Sequence, residues 1–189
     1  MHESATNPVS MLPEDPPSIF LVGPMGSGKS AVGRLLARRR RQRFVDSDEE
    51  IERRTGVDIP FIFEREGESG FREREREVIE DLTQWPGIVL ATGGGAVLLP
   101  ENQRCLSTRG IVVYLDTSVA EQVVRTQRAR NRPLLYGTDP AVRLAELYAH
   151  RDPIYRAIAR ISVSTDRRKV SAVVASIEAA LSALTDRVA

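Results

Sequence analysis

Very little in this 189-residue sequence can act as a cross-link or a soft metal ligand. Its one cysteine, Cys105, can form neither an internal disulfide nor a thiolate metal site, a usage that suits a reducing cytosol. Its two histidines, His2 and His150, are too few and too far apart for a metal cluster. No apolar run approaches the ~20 residues that a bilayer crossing needs. Residues 1–17 lack the apolar segment of a secretory signal. A charge excess is missing too: 27 basic residues meet 26 acidic ones, where a nucleic-acid binder shows a basic surplus. Chemistry is left to carboxylates, arginines, backbone amides and a borrowed metal ion.

Lysine is the other scarcity. Only Lys29 and Lys169 are lysine, and every other basic residue is arginine. Coding bias accounts for most of that, yet it makes position 29 worth inspecting for work that arginine cannot do.

What is present is enough for one domain: 41% apolar and 28% charged residues allow a core and a solvated surface. Residues 1–17, rich in Pro, Ser, Asn and acids, read as a disordered leader, with folding beginning at Ser18. From there, short apolar runs alternate with helical stretches. The pattern predicts strands at 19–22, 43–45, 88–91, 111–115 and 161–164. Helices are expected at 31–41, 118–128, 140–159 and 170–184. Further helical segments fall within 47–54 and 59–85, broken near Gly56, Gly67 and Gly70. Such alternation implies an α/β fold, a parallel sheet covered on both faces.

Between the first strand and the first helix lies Gly23-Pro-Met-Gly-Ser-Gly-Lys29-Ser30, which fits G-x-x-x-x-G-K-[ST] in the setting that motif requires. Glycines at 23, 26 and 28 let backbone N–H groups wrap a phosphate, and the helix dipole adds to the attraction. Lys29 can reach the outer phosphates as a compact charge, and the Ser30 hydroxyl can bind Mg²⁺. A nucleoside-triphosphate site follows. The chain has no N-K-x-D segment for guanine and is short for a remodelling ATPase, so a small-molecule or nucleotide kinase fits best.

The second strand runs into Asp46-Ser47-Asp48. Side chains two apart on an extended chain share a face, so both acids are expected at the carboxyl edge, where α/β sheets bind ligands. One acid can hold the metal through water while the other accepts a proton or hydrogen bond from an attacking hydroxyl. Helix capping by Asp46 or Ser47 is the competing reading, and the two are compatible. Gly93-Gly94-Gly95 follows the third strand at the same edge and offers bare amides. Residues 128–140, Gly- and Pro-marked with several arginines, read as a mobile lid. The basic run at 38–41 and the alternating Arg72–Glu77 run read as solvated helix faces, Arg72 excepted. Cys105 reads as a half-buried thiol, and Trp85 as packing at a helix–strand corner.

GPMGSGKS at 23–30, DSD at 46–48, GFR at 70–72, GGGA at 93–96, RPLL at 132–135 and R-x-P-x-Y-R at 151–156 occur in the order seen in shikimate kinases. The resemblance runs from about Ser18 to the end. It implies a P-loop kinase fold like that of nucleoside monophosphate kinases, with sheet order 2-3-1-4-5. It implies transfer of the ATP γ-phosphate to the 3-hydroxyl of shikimate, toward chorismate and the aromatic amino acids, in a cytoplasmic enzyme compatible with a monomer. By the same resemblance Gly26, Ser27, Gly28, Lys29, Ser30 and Ala31 cradle ATP. Ser30 ligates magnesium, and Asp46 supports it through water. Asp48 contacts shikimate hydroxyls and acts as base. Arg72, Arg151 and Gly93 to Gly95 bind shikimate, which suits arginine forks facing a carboxylate. Arg132 is the lid arginine that reaches the phosphates, and Arg125 and Arg168 flank adenine. Val170 departs from the pattern, standing where many members have proline.

A kinase of another sugar acid such as gluconate, which shares the P-loop, is the alternative. A nucleotide-binding regulator that has lost catalysis is a further one, against which Lys29, Ser30, Asp46 and Asp48 all argue. If the cradle admits only a slim point charge at position 29, Lys29→Arg will be nearly as damaging to turnover as Lys29→Ala. A steady-state assay in which Lys29→Arg kept most activity would show that the lysine is there by chance.

Overall fold

The computed structural model describes residues 16–127 and 139–185. Five parallel strands form one sheet: β1 (Ile19–Val22), β2 (Arg43–Asp46), β3 (Ile88–Ala91), β4 (Ile111–Asp116) and β5 (Ile161–Ser164). Their order is β2-β3-β1-β4-β5. β1 and β3 are buried at every residue, which is why they read as unbroken apolar runs rather than alternating ones. The pleat sends successive side chains to opposite faces. Phe20 and Val22 join Leu90, Tyr114 and Tyr155 in one core, and Ile19 and Leu21 join Leu36, Val174 and Ile177 in the other.

Helices α1 (Lys29–Arg40), α2 (Ser47–Thr55), α3 (Ile59–Leu82), α4 (Pro100–Arg109), α5 (Val119–Thr126), α6 (Pro140–Ile158) and α7 (Val170–Thr185) link the strands, with one 3₁₀ turn at Ala96–Leu98. α1 begins two residues before the expected 31, directly at Lys29, because Gly28 takes a left-handed φ of 87° and starts the helix at once. In α3 only Gly67 leaves helical geometry, at φ 71° and ψ −175°. Gly70 stays helical, so the expected break there is absent. The sequence reading missed α4 altogether. Its apolar face is only Cys105 and Leu106 between polar residues, and its start is marked by Pro100 alone.

Cys105 is buried rather than half-buried, and its thiol donates to Glu80. Trp85 packs against the core with the Arg43 guanidinium 4.4 Å above its ring. The basic run ends α1, where cations favour the dipole, and Arg39 pairs with Glu178 of α7. Residues 1–15 and 128–138, most of the expected leader and lid, lie outside the described residues. Pro16 and Pro17 lie on the body: Pro16 is beside Gly87, and the Pro17 carbonyl accepts from Gln42 at 3.1 Å. Among the described residues, no helix is long and apolar enough to cross a membrane.

α2 and α3 carry one side of the site and are joined by charge. Glu50, only 8% exposed, accepts from Arg53 and Arg54, and Arg54 also reaches Asp81 on α3. The Arg53 hydrogen bond first, and Arg54 after it, hold the Glu50 carboxyl down at about 2 against the ordinary 4.5, although burial opposes them. A depressed carboxylate contributes stability that is full above its unfolded value and is lost as pH falls toward its folded one. The gap in urea midpoint between the wild type and Glu50→Gln should therefore be constant above pH 4.5 and narrow progressively below it, toward about 2. A gap independent of pH would mean that shape, not charge, joins the two helices.

Candidate active site

The β1–α1 loop turns on Gly23, Gly26 and Gly28, whose φ values of 145°, 78° and 87° lie where side chains are strained. Lys29 Nζ points back over this loop. It donates to the Gly23 and Pro24 carbonyls, each at 2.8 Å, and to Ser27 Oγ at 3.3 Å. Ser30 Oγ donates to Asp46 Oδ2 at 2.6 Å. The other oxygen of Asp46 accepts the Asp48 N–H at 3.0 Å and caps α2. Capping and a place beside the cradle are therefore both true of Asp46. The expected extended pairing of Asp46 with Asp48 is not. The strand ends at Asp46, and Asp48 is turned by the first turn of α2 into a separate cavity.

Arg125 and Arg168 meet the same end of the sheet in different ways. Arg125 donates to the Gly26 carbonyl at 3.2 Å and to the Thr165 carbonyl at 2.8 Å, tying the cradle to the loop after β5. Arg168, in the loop before α7, folds onto that helix, donating to the Ala172 carbonyl at 2.9 Å and to Ser176 at 2.7 Å. Arg132 lies outside the described residues.

The cavity receiving Asp48 measures about 140 Å³. That is close to the ~150 Å³ in which a protein interior can take up benzene, so it is scaled for one six-membered ring. Arg72, Glu75, Gly93, Gly94, Gly95 and Arg151 supply its polar wall, and Phe63 and Phe71 part of its apolar one. Glu75 is the residue that the sequence reading missed. It was absorbed into the solvated Arg72–Glu77 run, but it is fully buried and accepts from Arg72 at 2.6 Å. A signal was available: Phe71, Glu75, Val78, Ile79 and Leu82 share one buried helix face, and a carboxylate on an apolar stripe is a flag. Burial pushes the Glu75 carboxyl up, and Arg72 offsets part of that. Burial lowers Arg72 as well, but Glu75 and Glu68 more than compensate.

Arg151 is only 4% exposed, and burial holds its guanidinium below the ordinary value. It makes no ion pair among the described residues. Its Nε and the Glu75 Oε1 are buried atoms with no hydrogen-bond partner.

The glycine run is explained from both sides. A Cβ at Gly93 would stand 2.5 Å from Glu75 Oε1 and 2.8 Å from Asp48 Oδ1, and one at Gly95 would fall inside the Arg72 guanidinium. The loop is pinned as well: the Gly93 N–H donates to Ser47 Oγ at 3.0 Å, and the Gly94 carbonyl accepts from Tyr155.

A ring-sized cavity with two arginines, beside a triphosphate cradle, is what a small-acid kinase requires. The family model for shikimate kinase matches residues 25–182. The chain belongs to the shikimate kinase family. The shikimate kinase of Pseudomonas syringae pv. tomato is 55% identical over 170 residues, covering 90% of this chain and 99% of that protein. A shikimate kinase from Acinetobacter baumannii, solved in complex with shikimate, superposes with a TM-score of 0.84. It is 50% identical, over 85% of this chain and 90% of that one. A gluconokinase from Sinorhizobium meliloti shares the fold alone, at 19% identity and a TM-score of 0.61 over 93% of this chain and 97% of that one. The gluconate alternative is thus not favoured. As a shikimate kinase the chain is an ATP-dependent enzyme that phosphorylates an alcohol group.

Because Gly95 abuts Arg72, Gly95→Ala must displace that guanidinium from Glu75. Overpacking of this kind costs about 1–3 kcal/mol, read as a lower urea midpoint together with a raised shikimate KM. An unchanged midpoint would show that Arg72 has room to move aside.

Proposed function

We propose that this kinase transfers the ATP γ-phosphate to the 3-hydroxyl of shikimate held in the cavity of Asp48, Arg72, Glu75, Gly93 to Gly95 and Arg151. The observation that carries this reading is Arg151: a buried guanidinium that forms no ion pair among the described residues, its Nε unsatisfied among them, favours an anionic ligand. The shikimate carboxylate is such an anion, and the guanidinium fork matches it in two places. Arg72 is already engaged by Glu68 and Glu75 through all three of its nitrogens, so it is the more fixed of the two clamps. Glu75 sets the direction in which Arg72 points.

Asp48 takes the other end of the substrate, accepting from the hydroxyl that attacks phosphorus. In a loose phosphoryl-transfer transition state little proton has moved, so orientation of that oxygen matters along with basicity. On the nucleotide side, the amides of residues 26–31 and the Lys29 ammonium balance phosphate charge, with Arg125, Arg168 and Arg132 as further contacts. Ser30 and Asp46 are hard oxygen donors whose contacting atoms lie 2.6 Å apart, a donor set suited to Mg²⁺, which keeps several of its waters. Ser30 would ligate the ion directly and Asp46 through water. Bound there, it supplies neutralisation of the charge that develops on the phosphoryl oxygens. The lid residues would exclude water from the transferring group.

Coupled ADP release with shikimate, against a panel of other sugar acids, tests the activity. Robust turnover of gluconate with none of shikimate would overturn it. Two variants test the roles. Asp48→Asn should lower kcat by at least ~100-fold, the low end for a general base, with shikimate affinity changed much less. Arg151→Ala should cost about 2–5 kcal/mol in shikimate affinity by titration calorimetry, with ATP affinity unchanged. Arg72→Ala is the less clean probe, because it strands Glu75. The reverse pattern, binding lost in Asp48→Asn and rate lost in Arg151→Ala, would mean that base and clamp are exchanged.

A further inference from the structure

Tyr155 is fully buried, directly behind the glycine loop of the cavity. It donates to the Gly94 carbonyl. The Arg151 guanidinium, one turn earlier on the same face of α6, stands next to it electrostatically. Arg151 Nη1 also lies 3.7 Å from the point that a Gly94 Cβ would occupy. The Tyr155 hydroxyl and the Arg151 guanidinium, both from α6, therefore converge on the same residue of the loop after β3.

The ring that carries this oxygen is held from behind. It stacks on Tyr114 with ring centres 5.1 Å apart. The Tyr114 hydroxyl donates to Asp152 at 2.7 Å and to Asp116 at 3.2 Å. Arg156 donates to the same two carboxylates, at 2.9 and 2.8 Å, and Tyr148 donates to Asp116 at 3.2 Å. α6 is thereby fastened to the end of β4 by charge-assisted bonds. Phenylalanine at 155 would fill the same volume, so the hydroxyl serves its two polar partners and not the packing.

We propose that Tyr155 is a positioning residue for the acceptor: its hydroxyl fixes the Arg151 guanidinium relative to the Gly94 peptide. A trans peptide points its C=O and N–H in opposite directions, so holding the Gly94 carbonyl also aims the Gly95 N–H. The distance between carboxylate clamp and glycine loop is then set before a ligand arrives, and it selects a molecule whose carboxylate and hydroxyls match that spacing. The inference rests on the reading of Arg151 as the carboxylate clamp.

The test is a double-mutant cycle with Tyr155→Phe, Arg151→Ala and their combination, reading KM for shikimate and for ATP separately. A polar contact between a hydroxyl and a charged group is at stake, so Tyr155→Phe is expected to raise the shikimate KM by about tenfold and to leave the ATP KM unchanged. Added to Arg151→Ala it should do little more, because its partner is gone. Tyr114→Phe, which keeps the Tyr155 bridge, should raise the shikimate KM less than Tyr155→Phe does. The proposal is overturned if Tyr155→Phe leaves the shikimate KM alone, if both Michaelis constants rise together, or if the two substitutions prove additive. It is also overturned if Tyr114→Phe is the more damaging, for then anchoring of α6 and not the bridge matters. An unchanged shikimate KM in Arg151→Ala alone would instead remove the clamp reading, whatever Tyr155→Phe does.

Discussion

Burying a carboxylate is costly unless a cation stands beside it, and Glu75 is buried completely. Its partner, Arg72, must therefore come inward with it, and the glycine run must leave room for both. Gly93 faces the Glu75 carboxylate and Gly95 the Arg72 guanidinium, so neither position can carry a side chain without moving the pair. One buried ion pair thus dictates the loop composition, fixes one clamp and shapes the polar wall of the cavity. Arg151, buried and in no ion pair among the described residues, stands in the same wall, facing a cavity that the acids Asp48, Glu52 and Glu75 also line.

The two half-sites are held in register by the sheet. β1 and β3 are neighbours, paired Leu21 with Ala91, and the Thr92 N–H still donates to the Leu21 carbonyl at 3.1 Å. The phosphate cradle and the glycine loop therefore leave the sheet side by side. A Cβ at Gly94 would lie 3.4 Å from the Met25 nitrogen and 3.6 Å from the Gly23 carbonyl. The gap that a phosphoryl group must cross is consequently a property of strand pairing and not of flexible loops. Placing the reactive centre on rigid elements is what proximity catalysis demands.

The sequence was legible where one residue type has one job. The cradle, the five strands and the order of the motifs follow from glycine, lysine and apolar runs that tolerate few alternatives. It was misleading where a local pattern was overridden by tertiary context. Glu75 stands in a run of alternating charges that satisfy one another at i,i+3, as Arg76 and Glu73 do at the surface. Only the apolar stripe beneath reveals that this one pair turns inward. Asp48 lines a cavity at the carboxyl edge of the sheet, but not through the expected extended geometry: the strand ends at Asp46 and the first turn of α2 aims it. α4 escaped because its burial rests on two side chains, too few to write a period into the sequence.

Arginine dominates this chain, and the surroundings of Arg72 and Lys29 show what each kind of cation can and cannot do. At Arg72 the guanidinium spreads three donors over two carboxylates on one helix face, Nε and Nη2 to Glu68 and Nη1 to Glu75. A lysine ammonium, a single point on a flexible stem, could not bridge acids set one turn to either side. At Lys29 the demand is opposite: the Gly23 and Pro24 carbonyls and the Ser27 hydroxyl converge on one nitrogen. A planar fork would present its donors divergently to that convergent set and would need more width than a loop built on glycines provides. The lysine of the cradle and the arginine of the acceptor wall each match the geometry of their acceptors, convergent on one nitrogen at Lys29 and spread over two carboxylates at Arg72.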